Sequence, residues 1–387
     1  MRDCPERFGS DVAGRLPLPG ILVAVLLLLA GGAHDLQGQV DWRDFVVTSG
    51  LSAEGYQGNL PTVAAAVQDS TEAATAMVGE LAMRGDAVWR RNGQTRGLLA
   101  FDGGVRQFNT WGFELDNYAP TEWAGTLDLA WRQPVSEGLT VVVSSRVRGR
   151  EVRDRPPMPL FLAPAYASYS ATAGAEWRTS RGFWDLRVRG ERSDYFAPEF
   201  APQVSLLDRE GISAEVGHER RLGSVSRIRV FGEWESSHYP EQNTFAEDDP
   251  FRRDRTIRTG AEWRWQGDII GSLGAVGRFN RSNSRRPEYN SITVDGSLST
   301  VLPGTSVLTA YAALTLKSYR ESTPFARLIP GEEANSASTA YVALSRGLVR
   351  NIDSTVRLSW TRAETEIGGD YFQRFGAAVI LHYRPGS

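Results

Sequence analysis

Cysteine is nearly absent from this 387-residue chain; the single one, Cys4, precedes the apolar run Gly20 to Ala33. Once that run is removed as a leader, no thiol remains, which excludes disulfides, cysteine-ligated zinc, iron–sulfur clusters and cysteine catalysis. Histidine is scarce too, with four residues. His34 falls at the leader junction, and "VGHER" and "SSHYP", which carry His218 and His238, offer no metal pair. Beyond about residue 40 there is no run of roughly 18 apolar residues, which excludes a helical membrane bundle. The net charge of −3 gives no reason to expect a nucleic-acid partner. Nucleophile-elbow, phosphate-loop, paired-histidine metalloprotease and EF-hand patterns are all missing, so neither an enzyme nor a cofactor is expected. "GSLGAVG" (Gly271 to Gly277) has the wrong spacing for a nucleotide loop, and its glycines read as strand positions.

The beginning of the chain reads as a processing signal. Arg2, Arg7 and Arg15 lead into "GILVAVLLLLAGGA", which is shorter than the ~20 apolar residues of a spanning helix and ends in small residues. A signal peptide over residues 1–33, cleaved near Ala33 or a few residues later, is expected. An uncleaved anchor is the competing reading.

What the chain does have is alternation. "AGAEWRTSRG" (Ala173 to Gly182) recurs as "TGAEWRWQGD" (Thr259 to Asp268), each with a Trp between a Glu and an Arg. A helix would gather all three on one arc, whereas a strand sends the Trp to one face and its charged neighbours to the other. "TLDLAWR" sets Leu127, Leu129 and Trp131 against Asp128 and Arg132, and "FWDLRVRGE" sets Trp184, Leu186 and Val188 against Asp185, Arg187, Arg189 and Glu191. Such segments recur about every 20 residues and predict about sixteen strands, with 14–18 as the range, over residues 40–387. The stretch Thr62 to Gly85 also reads as a short helix. Turns such as "TSRG" (179–182) and "LPGT" (302–305) are short, while most alternate connections are long and polar.

A soluble β-sandwich would alternate as well. Against it stand strands of roughly 12–16 residues, where globular strands run near 5–6. Tryptophan is also sorted by height. Trp89, Trp131, Trp177, Trp184, Trp263 and Trp265 cluster near the short turns, and Tyr195, Tyr239, Tyr319 and Tyr371 near the opposite rim, as two aromatic girdles would. An all-β, up-and-down transmembrane barrel with short turns on one rim and long loops on the other is therefore expected.

The last strand, "YFQRFGAAVILHYRPGS", presents Phe375, Ala377, Val379, Leu381 and Tyr383 as one apolar face. It resembles the C-terminal insertion signal of Gram-negative outer-membrane β-barrel proteins, although that pattern closes on an aromatic and here Arg384 to Ser387 extend past Tyr383. The resemblance covers the whole mature chain in architecture, is porin-like, and identifies no subfamily. It implies a bacterial outer-membrane location, lipid contact, insertion by the barrel-assembly machinery, and small solutes, anions among them, as cargo.

The interior is expected to be charged. Arg146, Arg148, Arg150, Arg187 and Arg189 form a basic wall, with His382 inward near the short-turn rim. Either the arginines pair with Glu176, Asp185 and Glu191, or they make an anion-attracting constriction. Charges so numerous need water or a mutual network that plugs the barrel. The function read from this is a passive or substrate-selective channel; the alternative is a non-conducting scaffold, adhesin or envelope-assembly partner acting through its outer loops. The run "FAEDDP" (Phe245 to Pro250) is expected to fold inward, to bind divalent cations, or simply to be solvated.

Overall fold

The computed structural model describes residues 39–58, 74–91, 94–111, 119–154, 164–196, 202–244, 248–284, 288–320, 337–364 and 371–385. The leader 1–33 lies outside these. Eight strands make up the first half: β1 Gln39–Gly58, β2 Ala74–Arg91, β3 Gln94–Trp111, β4 Thr121–Pro134, β5 Leu139–Arg153, β6 Ala165–Thr179, β7 Gly182–Phe196 and β8 Arg209–Arg221. Eight more follow: β9 Ser226–Asn243, β10 Phe251–Gln266, β11 Ile269–Ser282, β12 Tyr289–Leu302, β13 Ser306–Tyr319, β14 Ser338–Val349, β15 Ile352–Glu364 and β16 Tyr371–Tyr383. Each pairs antiparallel with its neighbours in sequence, and β1 pairs with β16 from Val47↔Tyr383 to Gly58↔Phe372, closing the ring. Closure leaves no strand edge to satisfy, which is the condition for placing a sheet in lipid. The helical reading of Thr62 to Gly85 fails over 74–85, which is strand β2; residues 62–73 lie outside the described ones.

Burial runs opposite to that of a soluble protein. Leu129, Leu186, Ile257, Leu273, Leu358 and Val379 are each about half exposed, while Glu54, Asp185, Glu233, Arg252 and Asp254 are buried. A sandwich would bury the first set and expose the second. With strands of 12 to 20 residues, the outer face is a continuous apolar band. This is a bilayer-spanning barrel of the outer-membrane type, with lipid outside and a polar interior.

The rims differ in their turns. β6 and β7 are joined through Ser180 and Arg181, and Thr179 Oγ1 donates to the Gly182 carbonyl at 3.0 Å. The β12–β13 turn holds Gly304 at φ 80° and Thr305 at φ 62°, a left-handed backbone that glycine adopts freely and threonine does not. On the other rim, a turn of 3-10 helix, Pro202–Leu207, packs Val204 and Leu207 against Tyr195. An epitope tag inserted at Asp248, on the long-loop rim, is expected to bind antibody on intact cells, and one at Ser180 only after the envelope is opened. The reverse pattern of labelling would invert the assigned orientation.

Candidate functional site: the lumen wall

The inner faces of β4 to β10 line a cavity of about 380 Å³ inside the barrel, bounded by Arg132, Arg146, Arg187, Arg189 and Arg258 and by Asp128, Glu176, Glu215 and Glu233. Strand alternation puts them there: Val143, Leu186 and Val188 occupy the outer face of the same strands. Arg146, Arg187, Arg189 and Glu176 of the expected wall line this cavity, Arg148 and Arg150 share the phase of Arg146 on β5 without lining it, and the pairing is not the one expected.

Arg146 pairs with Asp128, Glu176 with Arg132, and Arg150 Nε stands 2.9 Å from Glu122. Arg189 Nη2 donates to Glu233 at 3.2 Å, and Glu191 accepts from Arg209 at 2.9 Å. Asp185 accepts from Arg229 Nη2 at 3.0 Å, with Arg187 Nε at 3.5 Å. Only Arg187 with Asp185, both on β7, belongs to the anticipated set; the remaining partners come from adjacent strands or from strands two away. The reason is register. Glu176 stands opposite Thr140, and Arg146 opposite Ser170, so the nearest complementary charge lies elsewhere. Arg148 is different. It is exposed on the inner face, and among the described residues it has neither an ion pair nor a hydrogen bond.

The sequence pattern alone turns Arg106 inward but does not single out Glu54, Glu122, Arg252 or Asp254. Glu54, buried in β1, holds Arg106 and accepts from Tyr56, while Glu122 is 3.2 Å from Arg106, linking β1, β3, β4 and β5. Arg252 lies buried beside Asp254 and over the Tyr239 ring at 4.2 Å. The signal was present in the alternation of each strand but sits near strand ends, where turn residues blur the period.

The wall of β11 to β15 carries fewer charges, Arg278, Asp295, Lys317 and Arg357 among them. Among its cross-strand contacts are hydroxyl pairs: Ser272 with Ser297 at 2.8 Å, Thr293 with Thr315 at 2.9 Å, Ser299 with Thr309 at 3.0 Å and Ser345 with Thr355 at 2.8 Å. His382 faces inward between Thr48 and Thr355, within 3.3 Å and 3.1 Å of their hydroxyls.

Outside, Trp177 and Trp184 are register partners and among the most exposed large side chains. The Trp89 and Trp131 rings lie 4.7 Å apart, and those of Trp263 and Trp265 4.9 Å. His218 stacks on Trp184 at 4.3 Å, on the lipid side. Phe375, Val379, Leu381 and Tyr383 line the outer face of β16. The outer-rim girdle needs correction. Tyr195, Tyr239 and Tyr319 lie on the inner face, packed with Tyr166, Arg252 and Lys317, because their strands continue in phase with Ser193, Ser237 and Lys317. Trp111, Tyr169, Phe251 and Phe279 are exposed on the outer face of that half instead. Of the acidic loop, residues 245–247 lie outside the described ones; Asp249 is held at the rim by Asn283 Nδ2 at 2.7 Å and Arg253 at 3.5 Å. Among the described residues no group of three or more His, Cys, Asp or Glu is placed to hold a metal ion.

No family model and no curated sequence matches the chain. Among solved structures it is similar to OccK2 (OpdF) of Pseudomonas aeruginosa, with a TM-score of 0.42 and 11% identity over 89% of this chain and 99% of that one. OpdL of the same organism gives 0.40 and 11% over 88% and 99%. A bacterial polysaccharide outer membrane secretin gives 0.39 and 10% over 87% and 98%. These are general likenesses of barrel shape, at identities too low to transfer a role.

Proposed function

We propose that the protein is a passive or substrate-selective channel of the bacterial outer membrane, whose arginine-lined wall favours small anionic solutes. One observation carries this reading. Although they face the inside of a closed barrel, the side chains of Arg187, Arg132 and Arg146 remain 49%, 46% and 43% accessible. A lumen plugged by its own ion pairs would bury them as deeply as Asp185, whose side chain is 0% accessible. Water-exposed guanidinium groups in a low-dielectric shell act on passing ions without a cofactor.

The pairing of most arginines narrows where selectivity arises. A paired guanidinium is nearly neutral at a distance, so the net field of the wall comes from the cations its carboxylates leave over: Arg148, and the second charge where Arg189 and Arg258 share Glu233. Single-channel recording in planar bilayers is expected to show conductance with anion preference. Arg148→Gln should lower that preference more than Arg146→Gln does. The difference should be larger near 0.1 M salt, where charges are felt to about 10 Å, than at 1 M, where they are felt to about 3 Å. Absence of any conductance would favour the non-conducting scaffold, adhesin or assembly partner. Insertion through the barrel-assembly machinery, guided by the final strand, belongs to the same proposal.

A further inference from the structure

The wall opposite the arginines holds a carboxylate and an aromatic pair, both without a cation among the described residues. β13 stands seven strands beyond β6 in the closed ring, nearly across the lumen. On β12, Asp295 is in register with Gly274 of β11, which is in register with Glu262 of β10. A Cβ on Gly274 would lie 2.7 Å from Asp295 Oδ1, so the carboxylate rests over bare backbone that any other residue would cover. Two residues further along β12, on the same face, Ser297 is in register with Tyr311, which is in turn in register with Tyr341. The two tyrosine rings stack at 5.5 Å and 29°.

Elsewhere this barrel fills such places from its own sequence. Lys317 sits over Tyr289 at 4.2 Å and Tyr319 at 4.7 Å, Arg252 over Tyr239 at 4.2 Å, and Arg229 over Phe231 at 5.3 Å. Glu262 itself is held by Arg264 Nε at 2.6 Å. Among the described residues, Asp295 has no hydrogen bond or ion pair, and no cation is seated on Tyr311 or Tyr341. A carboxylate within a diagonal step of a stacked tyrosine pair has the parts of a cation–π site lacking only its cation.

We infer that Asp295, Tyr311 and Tyr341 form a binding station for an organic ammonium group. The chemistry favours ammonium over a metal ion. A hard divalent cation demands six or more oxygen ligands, and the hydroxyls here, Ser272 and Ser297, are already bonded to each other at 2.8 Å. A weakly hydrated ammonium needs one counter-charge and an aromatic face. The inference rests on the water-filled lumen proposed above, but not on conduction.

The test uses the full barrel in detergent micelles and saturation-transfer NMR with choline, set against its uncharged isostere 3,3-dimethylbutan-1-ol. Choline is expected to bind the wild type in preference to the alcohol. Asp295→Asn, which preserves shape, is expected to weaken choline by about fivefold to tenfold, and Tyr341→Leu by a similar factor. Equal binding of choline and the alcohol would overturn the station, as would choline binding unchanged by Asp295→Asn in a variant that still migrates as a folded barrel. Choline binding in a barrel that passes no current would instead refute the channel and leave the station standing.

Discussion

Replacing Asp185 by alanine is expected to destabilise the barrel by about 3 kcal/mol in denaturant unfolding from micelles or vesicles. Asp185 has no accessible side-chain surface, and its carboxylate takes Arg229 Nη2 at 3.0 Å and Arg187 Nε at 3.5 Å. Removing it leaves part of a guanidinium charge uncompensated in a low-dielectric wall, where breaking a buried pair costs about 3–5 kcal/mol. The lower end applies because Arg229 keeps Glu215 at 2.7 Å. Gly217 adds an independent check. A Cβ there would meet Asp185 Oδ2 at 2.5 Å and Arg229 Nη2 at 2.6 Å, so Gly217→Ala should strain the same pair without removing a charge. A loss well under about 1 kcal/mol for Asp185→Ala would mean that water solvates the arginines freely, and that the network is not structural.

Val188→Arg is expected to cost a comparable amount, about 2–4 kcal/mol, for the opposite reason. Val188 lies mid-strand on β7, on the outer face, between the inward-facing Arg187 and Arg189. Three consecutive arginines would then test one variable, the medium each side chain enters. Two enter the lumen, where water or a carboxylate receives them. The third enters hydrocarbon, where nothing does. The same substitution at Trp177, close to the β6–β7 turn, should cost at most about 1 kcal/mol for the charge, since headgroups and water are within reach. Equal costs at the two sites would show that the apolar band is misplaced in height.

Most of the architecture was legible in the residues because a strand's period is two. Leu186 and Asp185 cannot face the same side, whatever surrounds them, and sixteen such segments separated by turn residues leave an up-and-down barrel as the simplest closure. The short-turn Trp cluster followed from the same phase. Where turns and loops interrupt the period, phase is lost: position near the long-loop rim suggests an outer girdle for Tyr195, Tyr239 and Tyr319, but continuing each strand in step brings them inside. Alternation also says nothing of height around the ring. Which arginine meets which carboxylate depends on how each strand is staggered against the next, so Glu176 finds Arg132 and Arg146 finds Asp128. Arg148 on one wall and Asp295 on the other are among the charges which that matching leaves without a partner among the described residues, and they carry the proposed selectivity and the proposed station. Their lack of a partner is a property of sixteen registers taken together. One strand, read by itself, holds the charge but not the distance to its nearest opposite.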